Sequence, residues 1–152
     1  MPKAIPDGYH SLTPYLSLRD AAKAIEFYKT ALGATELYRL SMPGGKVAHA
    51  ELQLGDSRLM VADAMPEWGN KSAKDFGGTP VGLCIYTEDV DALNERFLKA
   101  GGKQVRPLEN QFYGDRTAQV EDPEGYRWTL TQHVEDVSPE EMQRRMEKEL
   151  GG

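Results

Sequence analysis

The sequence predicts an α+β fold built from two tandem copies of one β-α-β-β-β module. Three observations predict it. A shift of 69 residues lays the second half on the first, with Asp20 on Asp89, Glu26 on Glu95, Tyr28 on Phe97, Ala31 on Ala100, Gly33 on Gly102 and Arg58 on Arg127. In each half an apolar stretch reaches an Asp that opens a helix-like run, and the run stops at Gly. A hairpin pattern follows each run. A period this long, present only twice, is not a solenoid. It describes two modules that share a core or enclose a cleft.

The first module is expected over residues 9–65. His10 to Leu18 alternates loosely and reads as a strand, with Pro14 favouring an edge or a strand start. Asp20 caps a helix whose Ala24, Phe27, Tyr28, Ala31 and Leu32 recur at helical spacing, and Gly33 ends it. Thr35 to Met42 is a strand with Pro43-Gly44-Gly45 as its turn. Val47 to Leu54 and Arg58 to Ala62 form a hairpin about Gly55-Asp56. Residues 66–78 have no clear period and read as a linker.

The second module, 79–134, repeats the order. Val81 to Tyr86 is a strand. Asp89 caps a helix carrying Val90, Leu93, Phe97 and Ala100. Lys103 to Pro107, Thr117 to Glu121 and Tyr126 to His133 are strands, the last two joined by Asp122-Pro123-Glu124-Gly125. Beyond the repeat, residues 138–150 form a helix, with a capping box from Ser138 to Glu141 and Pro139 at its first position. Its Met142, Met146 and Leu150 make a narrow apolar stripe that needs a wall or a partner subunit.

Composition limits the function. At 152 residues with 39% hydrophobic content, the chain is one domain, 1–152, with enough apolar residues for a core. A net charge of −6 and no basic stripe argue against a nucleic-acid partner. No apolar run approaches a membrane span, and no signal-peptide core is present. Cys84 is the single cysteine, which fits a reducing compartment, so a cytoplasmic location is expected.

Several residues are candidates for chemistry. His49 and Glu51 lie two apart on a strand and so share a face. They can form a general-base pair or half a metal site, or belong to a polar, solvated face. Thr129, Thr131 and His133 share a face of the last strand. Arg116 is a candidate anion binder, or one half of an Asp-Arg pair that holds a loop. Tyr15, Trp68, Phe112 and Trp128 are candidate aromatic contacts for a ligand, and the competing expectation is that such rings fill the core.

Tyr9-His10-Ser11-Leu12-Thr13-Pro14-Tyr15, Ile25-Glu26-Phe27-Tyr28, Phe112-Tyr113-Gly114-Asp115-Arg116 and Glu121-Asp122-Pro123-Glu124-Gly125-Tyr126-Arg127-Trp128 resemble the PhnB-like branch of the vicinal oxygen chelate superfamily. That superfamily includes glyoxalase I, fosfomycin-resistance enzymes, extradiol dioxygenases and bleomycin-resistance proteins. The resemblance implies a cupped, barrel-like sheet, a small-molecule ligand and a homodimer. It places metal ligands on the first and last strands of each module, at Thr13, Met60, Gly82 (or Pro80) and Thr129. These side chains do not make a hard-metal site, so no cofactor is expected, and a divalent metal could bind only through non-standard ligands. Many PhnB-like members carry His where this chain has Cys84, which makes Cys84 a ligand-side candidate. Nothing adjacent in sequence lowers its pKa, and a buried, inert thiol is expected.

Two functions follow as expectations. One is a bleomycin-resistance-like binding protein that sequesters an aromatic or amphipathic compound without chemistry. The other is a lyase, isomerase or transferase of glyoxalase type, working through a non-standard metal or through His49 and Glu51.

Overall fold

A computed structural model describes residues 1–151. Helices α1 (Ala21–Leu32) and α2 (Val90–Lys99) begin alike. The Asp20 carboxylate accepts the Lys23 N–H, and that of Asp89 accepts the Ala92 N–H. Each cap satisfies a backbone donor that has no partner within its helix. A second acceptor comes from the last strand of the same module. Ala21 N–H donates to Asp63, and Val90 N–H donates to Gln132, its 69-residue equivalent. The helix ends drift by one residue. Gly33 takes a left-handed φ of 69°, whereas in the second module Gly101 rather than Gly102 holds the positive φ, at 117°. Gly102 is needed for space, since a Cβ there would run into the Phe97 ring.

Each module forms its own four-stranded sheet. The first contains β1 (Tyr15–Leu18), β2 (Thr35–Ser41), β3 (Val47–Leu54) and β4 (Ser57–Asp63), in spatial order β1-β4-β3-β2. The second contains β5 (Gly82–Tyr86), β6 (Lys103–Asn110), β7 (Asp115–Glu121) and β8 (Arg127–His133), in order β5-β8-β7-β6. In both, the first and last strands pair in parallel and the rest are antiparallel. Strand β6 runs past Pro107 to Asn110 because a register shift between Arg106 and Glu109 accommodates the residue that cannot donate. The fold is α+β with two cupped sheets, not a closed barrel.

Alternation gives each sheet a helix face and an open face. Leu16, Leu18, Ala50, Leu52, Leu59 and Val61 are buried on the helix face of the first sheet, as are Ala118, Val120, Trp128 and Leu130 on the second. The two helix faces share one core through α1 and α2, where Phe27 meets Phe97 edge-on at 5.1 Å. Each open face is therefore turned away from that core. Of the two arrangements expected from the repeat, the modules share a core.

The turn after β7 locks the modules together. Asp122 is buried and accepts from Tyr28 Oη, Trp128 Nε1 and the N–H groups of Glu124 and Tyr126. Glu124 in turn accepts the N–H groups of Arg19 and Asp20 at the start of α1. The segment between modules forms two short 3-10 turns, Pro66–Trp68 and Lys74–Phe76. Helix α3 (Pro139–Gly151) has no buried residue. The Ser138 hydroxyl caps it, and Arg145 ties it to Glu135 and to the Phe112 carbonyl.

Candidate functional site

The open face of the first sheet carries a connected row of ionisable side chains. Strand register sets Tyr15 beside Met60, Met60 beside Glu51, and Glu51 beside Tyr38. His49, two residues before Glu51, points to the same face. The Tyr15 hydroxyl lies 2.6 Å from His49 Nδ1, and His49 Nε2 lies 2.6 Å from Glu51 Oε2. The Tyr38 hydroxyl donates to the same Oε2 at 2.6 Å. The imidazole sits between two phenol rings, with centroids 5.3 Å from Tyr15 and 5.8 Å from Tyr38.

One proton assignment satisfies every contact. Burial, and then the neighbouring Tyr38, raise the Tyr15 pKa, so Tyr15 keeps its proton and donates it to Nδ1. His49 then carries its hydrogen on Nε2 and donates to Glu51. Burial raises the Glu51 pKa, and Arg58 opposes that shift. Glu51 Oε1 is buried and has no partner among the described residues.

The N-terminal segment packs beside this row. A turn at Pro6–Tyr9 closes with a Tyr9 N–H to Pro6 carbonyl bond, and Gly8 occupies it at φ 86°. The Arg58 guanidinium lies 4.9 Å from the Tyr9 ring centroid and donates to the Gly8 carbonyl. A Cβ on Gly8 would collide with that guanidinium. A pocket of about 470 Å³ is left between Ile5, Tyr9 and Thr13 on one side and Tyr38, Glu51 and Met60 on the other.

The matching row of the second open face holds no imidazole or carboxylate. Cys84 pairs with Thr129, Thr129 with Gln119, and Gln119 with Arg106. Cys84 is exposed, not buried as expected from sequence, because β5 is an edge strand and this residue faces away from the core. Its Sγ lies 3.3 Å from Thr131 Oγ1, and no base stands beside it among its hydrogen-bond partners.

A larger cleft of about 720 Å³ lies between the modules. Its lining includes Leu12, Leu59, Leu83 and Leu93, with Arg58 and Arg96 contributing charge. Trp128 is among its lining residues, although the residue is only 3% exposed and packs on Tyr28 in the core.

The remaining candidates are scattered. Trp68 is 67% exposed on the first 3-10 turn. Phe112 stacks edge-on with Tyr113 and borders a hollow against α3. Arg116 forms a forked pair with Asp91 of α2, which occupies its guanidinium, and its neighbour Asp115 binds His133 instead.

The positions that the resemblance assigns to a metal do not fit one. The assigned positions, Thr13, Met60, Gly82 (or Pro80) and Thr129, themselves offer no carboxylate, imidazole or thiolate. Among the described residues, no group of three or more His, Cys, Asp or Glu gathers as a cation site.

Sequence reasoning paired His49 with Glu51 and singled out Tyr15 without joining it to them, and it missed Tyr38 as the fourth member. A register shift between Glu36 and Tyr38 hides that pairing from simple counting along the hairpin.

The family model of the Glyoxalase/Bleomycin resistance protein/Dioxygenase superfamily matches residues 10–130. An uncharacterized protein of Mycobacterium bovis is 41% identical over 145 residues, spanning 93% of this chain and 95% of its own. The crystal structure of TioX from Micromonospora superposes with a TM-score of 0.66 at 26% identity, covering 82% of this chain and 99% of that one. A PhnB protein from Bacillus cereus shares the fold, with a TM-score of 0.64 at 19% identity over 81% of this chain and 99% of its own. The chain belongs to the glyoxalase/bleomycin resistance/dioxygenase superfamily.

Proposed function

We propose that this protein binds an aromatic or amphipathic small molecule in the cleft between its modules. The observation that carries this reading is the cleft itself, about 720 Å³ in volume, with six leucines and two arginines among its lining residues. Such a lining suits an apolar body with an anionic end. The probe is anilinonaphthalene sulfonate, which has that form. It should bind saturably to the folded protein and be recovered unchanged. Leu83→Trp, which fills the cleft, should abolish binding without lowering the melting temperature. Saturable binding that survives Leu83→Trp would refute the site.

The assembly we propose is a homodimer, because Leu37, Leu40, Val81 and Val134 leave large apolar surface exposed on one chain. Sedimentation at micromolar concentration should give twice the monomer mass. The lone free thiol supports a reducing, cytoplasmic setting.

A second reading, acid–base catalysis, is favoured by the His49–Glu51 contact beside a pocket. It predicts that the protein accelerates deuterium exchange into some members of a panel of small ketones, and that His49→Gln abolishes this.

A further inference from the structure

We propose that Tyr15, His49 and Glu51 act as a triad in which the Tyr15 hydroxyl exchanges one proton with a bound small molecule. This deepens the acid–base reading and rests on it. The order of the three groups is that of an activated hydroxyl. A hydroxyl touches a base, and the base is oriented through its other nitrogen by a carboxylate. Here the contacts are Tyr15 Oη to Nδ1 and Nε2 to Glu51 Oε2, both 2.6 Å.

Three features go beyond a chance chain of hydrogen bonds. The flanking Tyr15 and Tyr38 rings restrain the imidazole from turning. The Tyr38 hydroxyl holds the same carboxylate oxygen and so fixes Glu51. Exposure falls along the chain, from 52% at Tyr15 to 20% for the His49 side chain and 6% for that of Glu51, so the open end is the phenol. The equivalent places on the second sheet hold Cys84, Thr117 and Gln119, which shows that the fold alone does not demand the arrangement.

The molecule that fits presents an acidic proton, such as one beside a carbonyl. That proton passes to the Tyr15 oxygen as the Tyr15 proton passes to Nδ1. The imidazolium then pairs with the Glu51 carboxylate, and the negative charge stays on the bound molecule. Return of the proton reverses each transfer.

Benzenesulfonyl fluoride tests the triad without a natural substrate. The Tyr15 oxygen bonds to sulfur, the S–F bond breaks, fluoride leaves, and His49 takes the phenolic proton. Peptide mass spectrometry of the full chain reads the site. Tyr86, 67% exposed, is the internal reference. Tyr15 should label at least tenfold faster than Tyr86, and His49→Gln should bring the two rates together. Imidazole added to His49→Gly should restore Tyr15 labelling by more than it raises Tyr86. Equal labelling of Tyr15 and Tyr86 in the wild type, or a Tyr15 rate unchanged in His49→Gln, would overturn the triad. Ketone exchange that needs His49 but survives Tyr15→Phe would sink the triad while leaving the acid–base reading intact.

Discussion

Across the first sheet, the paired row reads Tyr15, Met60, Glu51, Tyr38; across the second it reads Cys84, Thr129, Gln119, Arg106. The backbones correspond strand for strand. The chemistry does not. The first row joins two phenols, an imidazole and a buried carboxylate into one hydrogen-bonded chain. In the second, Cys84 contacts the Thr131 hydroxyl. A duplicated module thus supplies two equal platforms, and side-chain choice on one of them makes the candidate site.

The turns that close the β3–β4 and β7–β8 pairs differ as much. The first is a two-residue turn at Gly55-Asp56, with Asp56 exposed. The second is the longer Asp122–Tyr126 turn, whose lead carboxylate is buried and accepts four donors. Breaking that contrast should have the largest effect. Asp122→Ala should lower unfolding free energy by about 3 kcal/mol or more, because each buried donor left unpaired costs about 1–3 kcal/mol. Asp56→Ala should stay within about 0.5 kcal/mol, as surface changes do. Urea denaturation midpoints would compare them, and similar losses at both turns would show that Asp122 does not lock the modules.

The two rows should respond unequally to the same truncation. Glu51→Ala strands the Tyr38 hydroxyl and His49 Nε2–H, and should cost about 1–3 kcal/mol. Gln119→Ala should cost about 0.5 kcal/mol or less, since its side chain has no hydrogen-bond partner among the described residues and the residue is only half-buried. Equal costs, measured by thermal and urea unfolding, would mean that the first row is no more connected than the second.

The smallest effect concerns the tail, which lies outside both modules. Paired with Arg144 and then Arg145, Glu141 has its pKa lowered from 4.5 to about 2. A depressed carboxylate pKa stabilises the folded helix fully above 4.5, and that contribution is lost as pH falls toward 2. Amide exchange in α3 should therefore quicken across that window while β3 and β7 stay protected. Uniform loss of protection in all three would show the helix to be part of the cooperative core. Deleting residues 138–152 should leave the melting temperature nearly unchanged, since α3 buries no residue, but should weaken self-association if Met142, Met146 and Leu150 meet a second copy. Sedimentation would decide it.

Much of this was legible in the chain. Asp20 and Asp89, the helical apolar spacing that follows each, and the Gly55-Asp56 turn are local signals, and local signals survive without tertiary context. The pairing of His49 with Glu51 was also local, since a strand's period of two puts them on one face. The partners Tyr15 and Tyr38 were not local. Tyr15 reaches His49 across β4 through a parallel pairing that no tight turn fixes, and a register shift sets Tyr38 opposite Glu51. The fate of the aromatic residues also depended on the assembled molecule. Trp128 and Tyr15 look alike as strand aromatics. One was drawn into the core by Asp122 and Tyr28, and the other was left on the open face beside His49. By itself the sequence determined the duplicated α+β modules and their capped helices, because caps, turns and periodicity act over a few residues, while the superfamily came through the resemblance of its local phrases. Only the tertiary structure decided which face each sheet leaves open and which side chains meet there, because burial is settled by how α1 and α2 pack between the modules.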